Sequence, residues 1–391
     1  MRPLVAALAA VLLVCGPTSS AAPPPSTSGA AALVVDARTG QKLHADNARR
    51  ARPIASATKL MTALLTLERA DLDDVFPAAR YTASAVESKI GLMPGERMTV
   101  RDLLTALIVE SANDAAVTLA EGIAGSRDAF VREMNRRAVT LGLRDTSYAN
   151  PIGFDDPDNH SSAHDLAQLA RRLLANREFA RIADLPMATL RSGARPRTID
   201  NRNALVQRYP FVSGVKTGHT QGAGYVLVGS GEAGGARVIT VTLGAPSESA
   251  RDADTLALLR WGLEQFHRVR VLRPGKVLAR IDVAYRDEDA EVGAARPVTL
   301  VLRRGERTST VVDAPDELDG PLDAGERVGW VEVQRRGRTV RRVALVTLGD
   351  IEGASFVRKA VRTLGTLLIV VILLGIVLLV IVAARRRRGN R

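Results

Sequence analysis

The chain opens its first regular segment on a continuous apolar run, Ala31-Ala32-Leu33-Val34-Val35, closed by Asp36, which predicts a buried strand over 31–36. Asp36-Ala37-Arg38-Thr39-Gly40 predicts a hairpin turn into a second strand. The rhythm then becomes helical. Pro53 precedes a stretch without breakers, with an apolar run over 60–67, so a helix is expected to begin near Ala55 and reach Arg69. Residues 81–99 read as loop, with a turn at Met93-Pro94-Gly95-Glu96. Helices are expected to include 103–109, 114–135 and 165–175, the last capped by Ser161 or Ser162. From Val212 the pattern turns to strands, 225–230 and 238–243 flanking a glycine-rich turn, and a helix over 252–266 closes this part. Beyond it, short β-type runs at 298–302, 328–333 and 343–346 alternate with Gly, Pro and Asp turns, predicting a small all-β domain over 268–350.

Two apolar segments lie outside these domains. Residues 1–22 read as an export signal: Arg2, an apolar stretch over 4–14, and the small residues Thr18-Ser19-Ser20-Ala21-Ala22. Cleavage near Ala22 would remove Cys15, the only cysteine; Val14 argues against a lipid anchor there. Residues 364–384 are uncharged and long enough for a membrane-spanning helix. The basic tail over 385–391 would then be cytoplasmic, with the preceding domains held outside a cell membrane by a single pass. Residues 23–28 form a Pro/Ser-rich spacer, 29–267 the main domain and 351–363 a stalk.

The net charge of +12 raises the question of nucleic acid. Five arginines crowd the last seven residues, Arg385 to Arg388 and Arg391, and no basic stripe with interleaved aromatics occurs elsewhere, so no nucleic-acid partner is expected. Lysine usage says more. Of 54 basic residues only six are lysine: Lys42, Lys59, Lys89, Lys216, Lys276 and Lys359. Arginine supplies charge but does not give up its proton, so a retained lysine marks positions where deprotonation matters.

Ser56 and Lys59 are three apart on the expected helix, so hydroxyl and amine share a face. The positive end of the helix dipole disfavours an ammonium and favours an alkoxide there. A neutral lysine beside serine is a nucleophile with its own base. By itself Ser-x-x-Lys recurs by chance. Its company is more specific: Ser111-Ala112-Asn113 after an apolar helix, and Lys216-Thr217-Gly218 before a strand. His160 and His164 lack the helical His-Glu-x-x-His setting of zinc ligands, and Asp155, Asp156 and Asp158 lack EF-hand spacing. No metal or cofactor is called for.

With these three motifs, and with 33–40, 111–116, Asn150-Pro151 with Gly153, and Gly244-Ala245-Pro246, the chain resembles low-molecular-weight penicillin-binding proteins of the D-alanyl-D-alanine carboxypeptidase type. The resemblance implies an α/β (α+β) fold like that of penicillin-binding proteins and β-lactamases. An antiparallel sheet would be flanked by helices and followed by the small all-β domain and the transmembrane helix. It implies that Ser56 attacks the penultimate D-Ala of a peptidoglycan stem pentapeptide, with Lys59 as base, Ser111 as proton relay and Asn113 as orienting group. Lys216 would add positive potential, Thr217 would contact the terminal carboxylate, and Gly218 would leave the strand edge open. The backbone N–H groups of Ser56 and His219 would form the oxyanion hole. Arg202 and Arg251 fall where the family places arginines near the substrate carboxylate. β-Lactams would be covalent inhibitors. Endopeptidase action on cross-links stays open. A β-lactamase would need a further base, for which Glu121, Glu133 and Glu178, all in helix-like runs, are poorly placed. An inactive cell-wall binding module would not need its motif residues intact.

Overall fold

The computed structural model describes the backbone of residues 12–14 and 22–388, and the side chains of 22–361, 364 and 369–381. The chain forms two compact units, Ser20–His267 and Arg268–Arg391 together with Met1–Ser19.

The first unit is built on a five-stranded antiparallel sheet. Its strands, in chain order, are β1 (Ala31–Asp36), β2 (Lys42–Asp46), β3 (Val212–Thr220), β4 (Gly224–Ala233) and β5 (Ala236–Ala245). Their spatial order is β3-β4-β5-β1-β2, so β3 is an edge. Every residue of β1 is buried because both faces of the sheet are covered. Ala31, Leu33 and Val35 enter one core with Val226, Val228, Ile239 and Val241, while Ala32 and Val34 join Leu227, Val238, Leu258 and Leu259 on the other side. Strand side chains alternate, so a strand covered on both faces reads as one continuous apolar run.

Among the described residues this unit has eight α-helices: α1 (Lys59–Arg69), α2 (Val100–Val109), α3 (Asn113–Ala124), α4 (Arg127–Leu141), α5 (Ala163–Leu174), α6 (Arg177–Ala183), the short α7 (Ala204–Arg208) and α8 (Glu248–Glu264). α5 is held by apolar spacing, with Leu166, Leu169, Ala170 and Leu173 buried, and by Ser162, whose hydroxyl accepts from the Asp165 N–H. Two helix readings change. The helix expected over 114–135 is two, because Gly125 takes a left-handed conformation (φ 76°) and Ser126 caps the next. The closing helix begins earlier than 252, at Glu248, where the Ser247 hydroxyl accepts from the Ala250 N–H.

The second unit is all β in its described globular part. A seven-stranded sheet includes Val277–Val283, Asp289–Ala294, Thr308–Asp313, Arg327–Arg335 and Arg338–Thr347, and encloses Ile281, Val292, Val331, Val333, Val343 and Leu345. The expected signal over 1–22 lies outside the described residues except for Ala22 and Leu12–Val14, which pairs antiparallel with Thr308–Thr310.

The membrane-spanning helix expected over 364–384 is corrected. Phe356–Arg388 is a single helix, but among the described residues no helix is long and apolar enough to cross a membrane. Arg358 and Lys359 stand close to the start of the helix. The placement built on that span, a single-pass cell-membrane protein with an outward catalytic domain and a cytoplasmic tail, falls with it.

Candidate active site

Ser56 does not sit on α1 itself. It lies in a 3-10 turn, Ala55–Thr58, that feeds into α1, and Ala55 before it has φ 47°. The tighter turn still presents the hydroxyl to Lys59, whose Nζ donates to Ser56 Oγ at 2.9 Å. The same Nζ donates to Asn113 Oδ1 and to the Ile152 carbonyl, both at 2.7 Å. Lys59 is fully buried. Burial, and then the Lys216 charge, push its pKa well below the usual lysine value, against the opposing pull of Glu87 and Asp114. The amine is thereby drawn toward the neutral state that can accept a proton.

Ser111 and Asn113 come from the elbow between α2 and α3. α2 is capped at its start by Thr99, whose hydroxyl accepts from the Asp102 N–H, and at its end by Glu110. Ser111 then adopts φ 63°, an uncommon conformation for a residue with a Cβ, and turns the chain so that Asn113 opens α3. Both side chains are buried. Asn113 joins the Ser56–Lys59 cluster directly, whereas none of the hydrogen bonds found among the described residues joins the Ser111 hydroxyl to it.

β3 supplies the other wall. Lys216 pairs with Val228 and Gly218 with Val226 across the ladder. A Cβ on Gly218 would stand 2.9 Å from the Ser56 nitrogen, so the strand can approach the turn only with glycine here. Lys216 is buried and its Nζ donates to the Thr217 carbonyl at 2.8 Å. Burial, then the charges of Arg251 and Arg202, lower its pKa to about 7, with Glu110 opposing. Thr217 is buried, while His219 is exposed and stacks on Tyr225 with ring centroids 4.0 Å apart. Arg202 pairs with Glu110. Arg251 is buried and held by Glu248 and Asp252 at 2.9 and 2.7 Å, so it reaches the site through its field rather than by contact.

The loop 150–155 closes the arrangement. Asn150 Oδ1 accepts from the N–H groups of Ile152, Gly153 and Phe154, turning the Ile152 carbonyl toward Lys59. Asp155 accepts from Thr220 Oγ1 at 2.6 Å and from Gly222 N–H at 2.9 Å, fastening the loop to the end of β3. Gly153 has φ 97°, and a Cβ there would lie 2.0 Å from the Ala55 carbonyl oxygen. Gly153→Ala is therefore expected to displace the turn that carries Ser56 and lower the unfolding temperature. Gly125→Ala is the control: φ is 76° but nothing lies within 4 Å, so its cost is only the left-handed strain, about 1–2 kcal/mol. Paired thermal melts check this, and equal losses would remove the clash as the cause.

Sequence reasoning missed Glu87, Tyr81 and the Ile152 carbonyl. Glu87 accepts from Asn113 Nδ2 at 2.8 Å and from Tyr81 Oη. These groups sit in loops without periodicity, and a backbone carbonyl carries no residue signature at all.

A serine held by a desolvated lysine beside the edge of an antiparallel sheet is the arrangement of a serine-type peptidase. Residues 18–247 match the family model described as D-alanyl-D-alanine carboxypeptidase, and 266–353 match the penicillin-binding protein 5 C-terminal domain. The chain is 36% identical over 345 residues to D-alanyl-D-alanine carboxypeptidase DacD of Escherichia coli K12, covering 83% of this chain and 88% of that protein. It is 30% identical over 343 residues to D-alanyl-D-alanine carboxypeptidase DacF of Bacillus subtilis 168, covering 85% and 88%. The crystal structure of penicillin binding protein 6B from Escherichia coli superposes with a TM-score of 0.60 at 33% identity, over 84% of this chain and 98% of that one. The chain belongs to the D-alanyl-D-alanine carboxypeptidase family of serine-type peptidases.

Proposed function

We propose that this carboxypeptidase works through an acyl-enzyme at Ser56 on peptidoglycan stem peptides ending in D-Ala-D-Ala, and that β-lactams trap it at that stage. The observation that carries the reading is the buried Lys59 amine bonded to Ser56 Oγ at 2.9 Å. Ser56 Oγ attacks the carbonyl carbon of the penultimate D-Ala while its proton passes to Lys59 Nζ. The oxyanion takes a hydrogen bond from the Ser56 N–H, with the His219 N–H as second donor. Oxyanion donors of this kind typically contribute about 3–4 kcal/mol each. The C–N bond then breaks, and the departing D-Ala amine receives a proton through Ser111. Water attacks the ester, and the hydroxyl of Ser56 is restored. Asn113 holds the amine, and the Lys216 charge with the Thr217 hydroxyl receives the substrate's terminal carboxylate.

The test is D-Ala release from a D-Ala-D-Ala peptide across pH, with and without prior penicillin. Release blocked by penicillin supports the reading; penicillin-insensitive release would overturn the acyl-enzyme at Ser56. The sign for Lys216 follows from its pKa of about 7. Above that pH the free enzyme loses the charge that attracts the carboxylate, so kcat/KM is expected to fall. A profile that stays flat to high pH would remove Lys216 from carboxylate binding.

A further inference from the structure

The reading just given leaves unused a carboxylate joined to the base through one side chain, that of Asn113. Glu87 lies in the loop between Tyr81 and Leu92, outside all three motifs. That loop is stapled to the start of α3: the Asn113 N–H donates to the Ser88 carbonyl at 2.8 Å, and Asp114 accepts from the N–H groups of Ile90 and Leu92 at 3.2 and 3.0 Å. Within it, Glu87 Oε1 accepts from the Ser84 N–H at 2.8 Å, and Glu87 Oε2 accepts from Tyr81 Oη and from Asn113 Nδ2. The Tyr81 ring is itself covered by the Arg127 guanidinium, 5.7 Å from the ring centroid.

We infer that Glu87 is a positioning residue for the acyl-transfer step, fixing the Asn113 amide so that its carbonyl faces Lys59. The two ends of an asparagine amide are nearly equal in size, and only their partners decide which way it points. An ionised carboxylate can only accept, so the end facing Glu87 must be NH2, and the oxygen must face the lysine. Glu87 stays in that acceptor-only state. Burial pushes its pKa up, but the hydrogen bonds from Tyr81, Asn113 and Ser84 outweigh this and bring it down to about 2. The series Tyr81–Glu87–Asn113–Lys59–Ser56 is thus a continuous set of donors and acceptors with one orientation at each step. A glutamine at 87 can present either its oxygen or its NH2, which releases the constraint on Asn113.

This inference rests on the acyl-transfer reading, and its test separates the two. The rate of covalent labelling of the full chain by a fluorescent penicillin is measured across pH for wild type, Glu87→Gln and Glu87→Asp. A wild type that takes no label would sink the acyl-enzyme itself, and this inference with it. With a labelled wild type, Glu87→Gln is expected to lower the plateau rate about 10- to 100-fold, the range of one hydrogen bond to a charged group. The charges bearing on Lys59 are Lys216 from β3, Asp114 from α3 and Glu87 from the loop. Glu87 raises the lysine's pKa, so its neutralisation lets Lys59 lose its proton at lower pH, and the acid limb of the profile is expected to move down. Glu87→Asp keeps the charge and should leave the limb in place. A wild-type plateau in Glu87→Gln, or a lowered plateau with an unmoved limb, overturns the inference, the second because a loop anchor alone would do that. Should Glu87→Gln fail to fold, Tyr81→Phe decides: it leaves the carboxylate but removes a donor, and is expected to slow labelling about three- to tenfold. A wild-type rate in that variant overturns the role.

Discussion

Ser56→Ala is expected to abolish covalent penicillin labelling and to reduce D-Ala release to background. Nothing else in the cluster can take over the bond-forming step. Asn113 is an amide, Lys59 is enclosed by three partners, and Ser111 makes no hydrogen bond to Lys59 among the described residues. Loss of the serine nucleophile in a serine peptidase is worth about a millionfold in kcat. The fold should survive, because Lys59 keeps Asn113 and the Ile152 carbonyl as acceptors, and what disappears is the Lys59 bond to Ser56 Oγ and a long one, 3.5 Å, from Ser56 Oγ to the Ile152 carbonyl, about 1 kcal/mol each. Mass spectrometry of the penicillin-treated variant, beside its thermal melt, gives the answer. An adduct on a folded Ser56→Ala chain would move the nucleophile elsewhere.

Lys59→Arg is expected to lose most of the activity, although charge is conserved. The position is completely buried, and the guanidinium is both bulkier than the amine and unable to lose its proton. Loss of a general base accounts for about 10²- to 10⁴-fold in rate. The arginine also brings a permanent charge to a site where the lysine is pushed toward neutrality by burial and by Lys216. Acylation rates of the folded variant within tenfold of wild type would remove Lys59 as the base. A thermal melt guards against confusing lost chemistry with lost structure.

The two variants also show how differently the site was readable. Ser56 and Lys59 are three apart, so local geometry alone predicts their contact, whether the turn is 3-10, as it is at Ala55–Thr58, or α-helical. The scarcity of lysine in an arginine-rich chain marks Lys59 and Lys216 without any structure. The buried β1 run and the β-rich second unit are equally legible, since strand alternation and turn residues act over a few positions.

Sequence by itself therefore determined the sheet-and-helix body with its β domain, the Ser56–Lys59 pair and the family. Tertiary structure decided what makes that pair work. Asn113 arrives from 54 residues away and the Ile152 carbonyl from 93, and Gly153 and Gly218 admit neighbouring backbone that a Cβ would exclude. Glu87 enters from a loop with no periodic signal. The spanning helix over 364–384 was the opposite error, an apolar composition read as a membrane crossing, whereas among the described residues no helix is long and apolar enough to cross a membrane. The physical reason is common to all of these. Periodicity and spacing report forces between neighbours along the chain, whereas desolvation of Lys59 and its electrostatic balance are sums over groups that only the folded chain brings together.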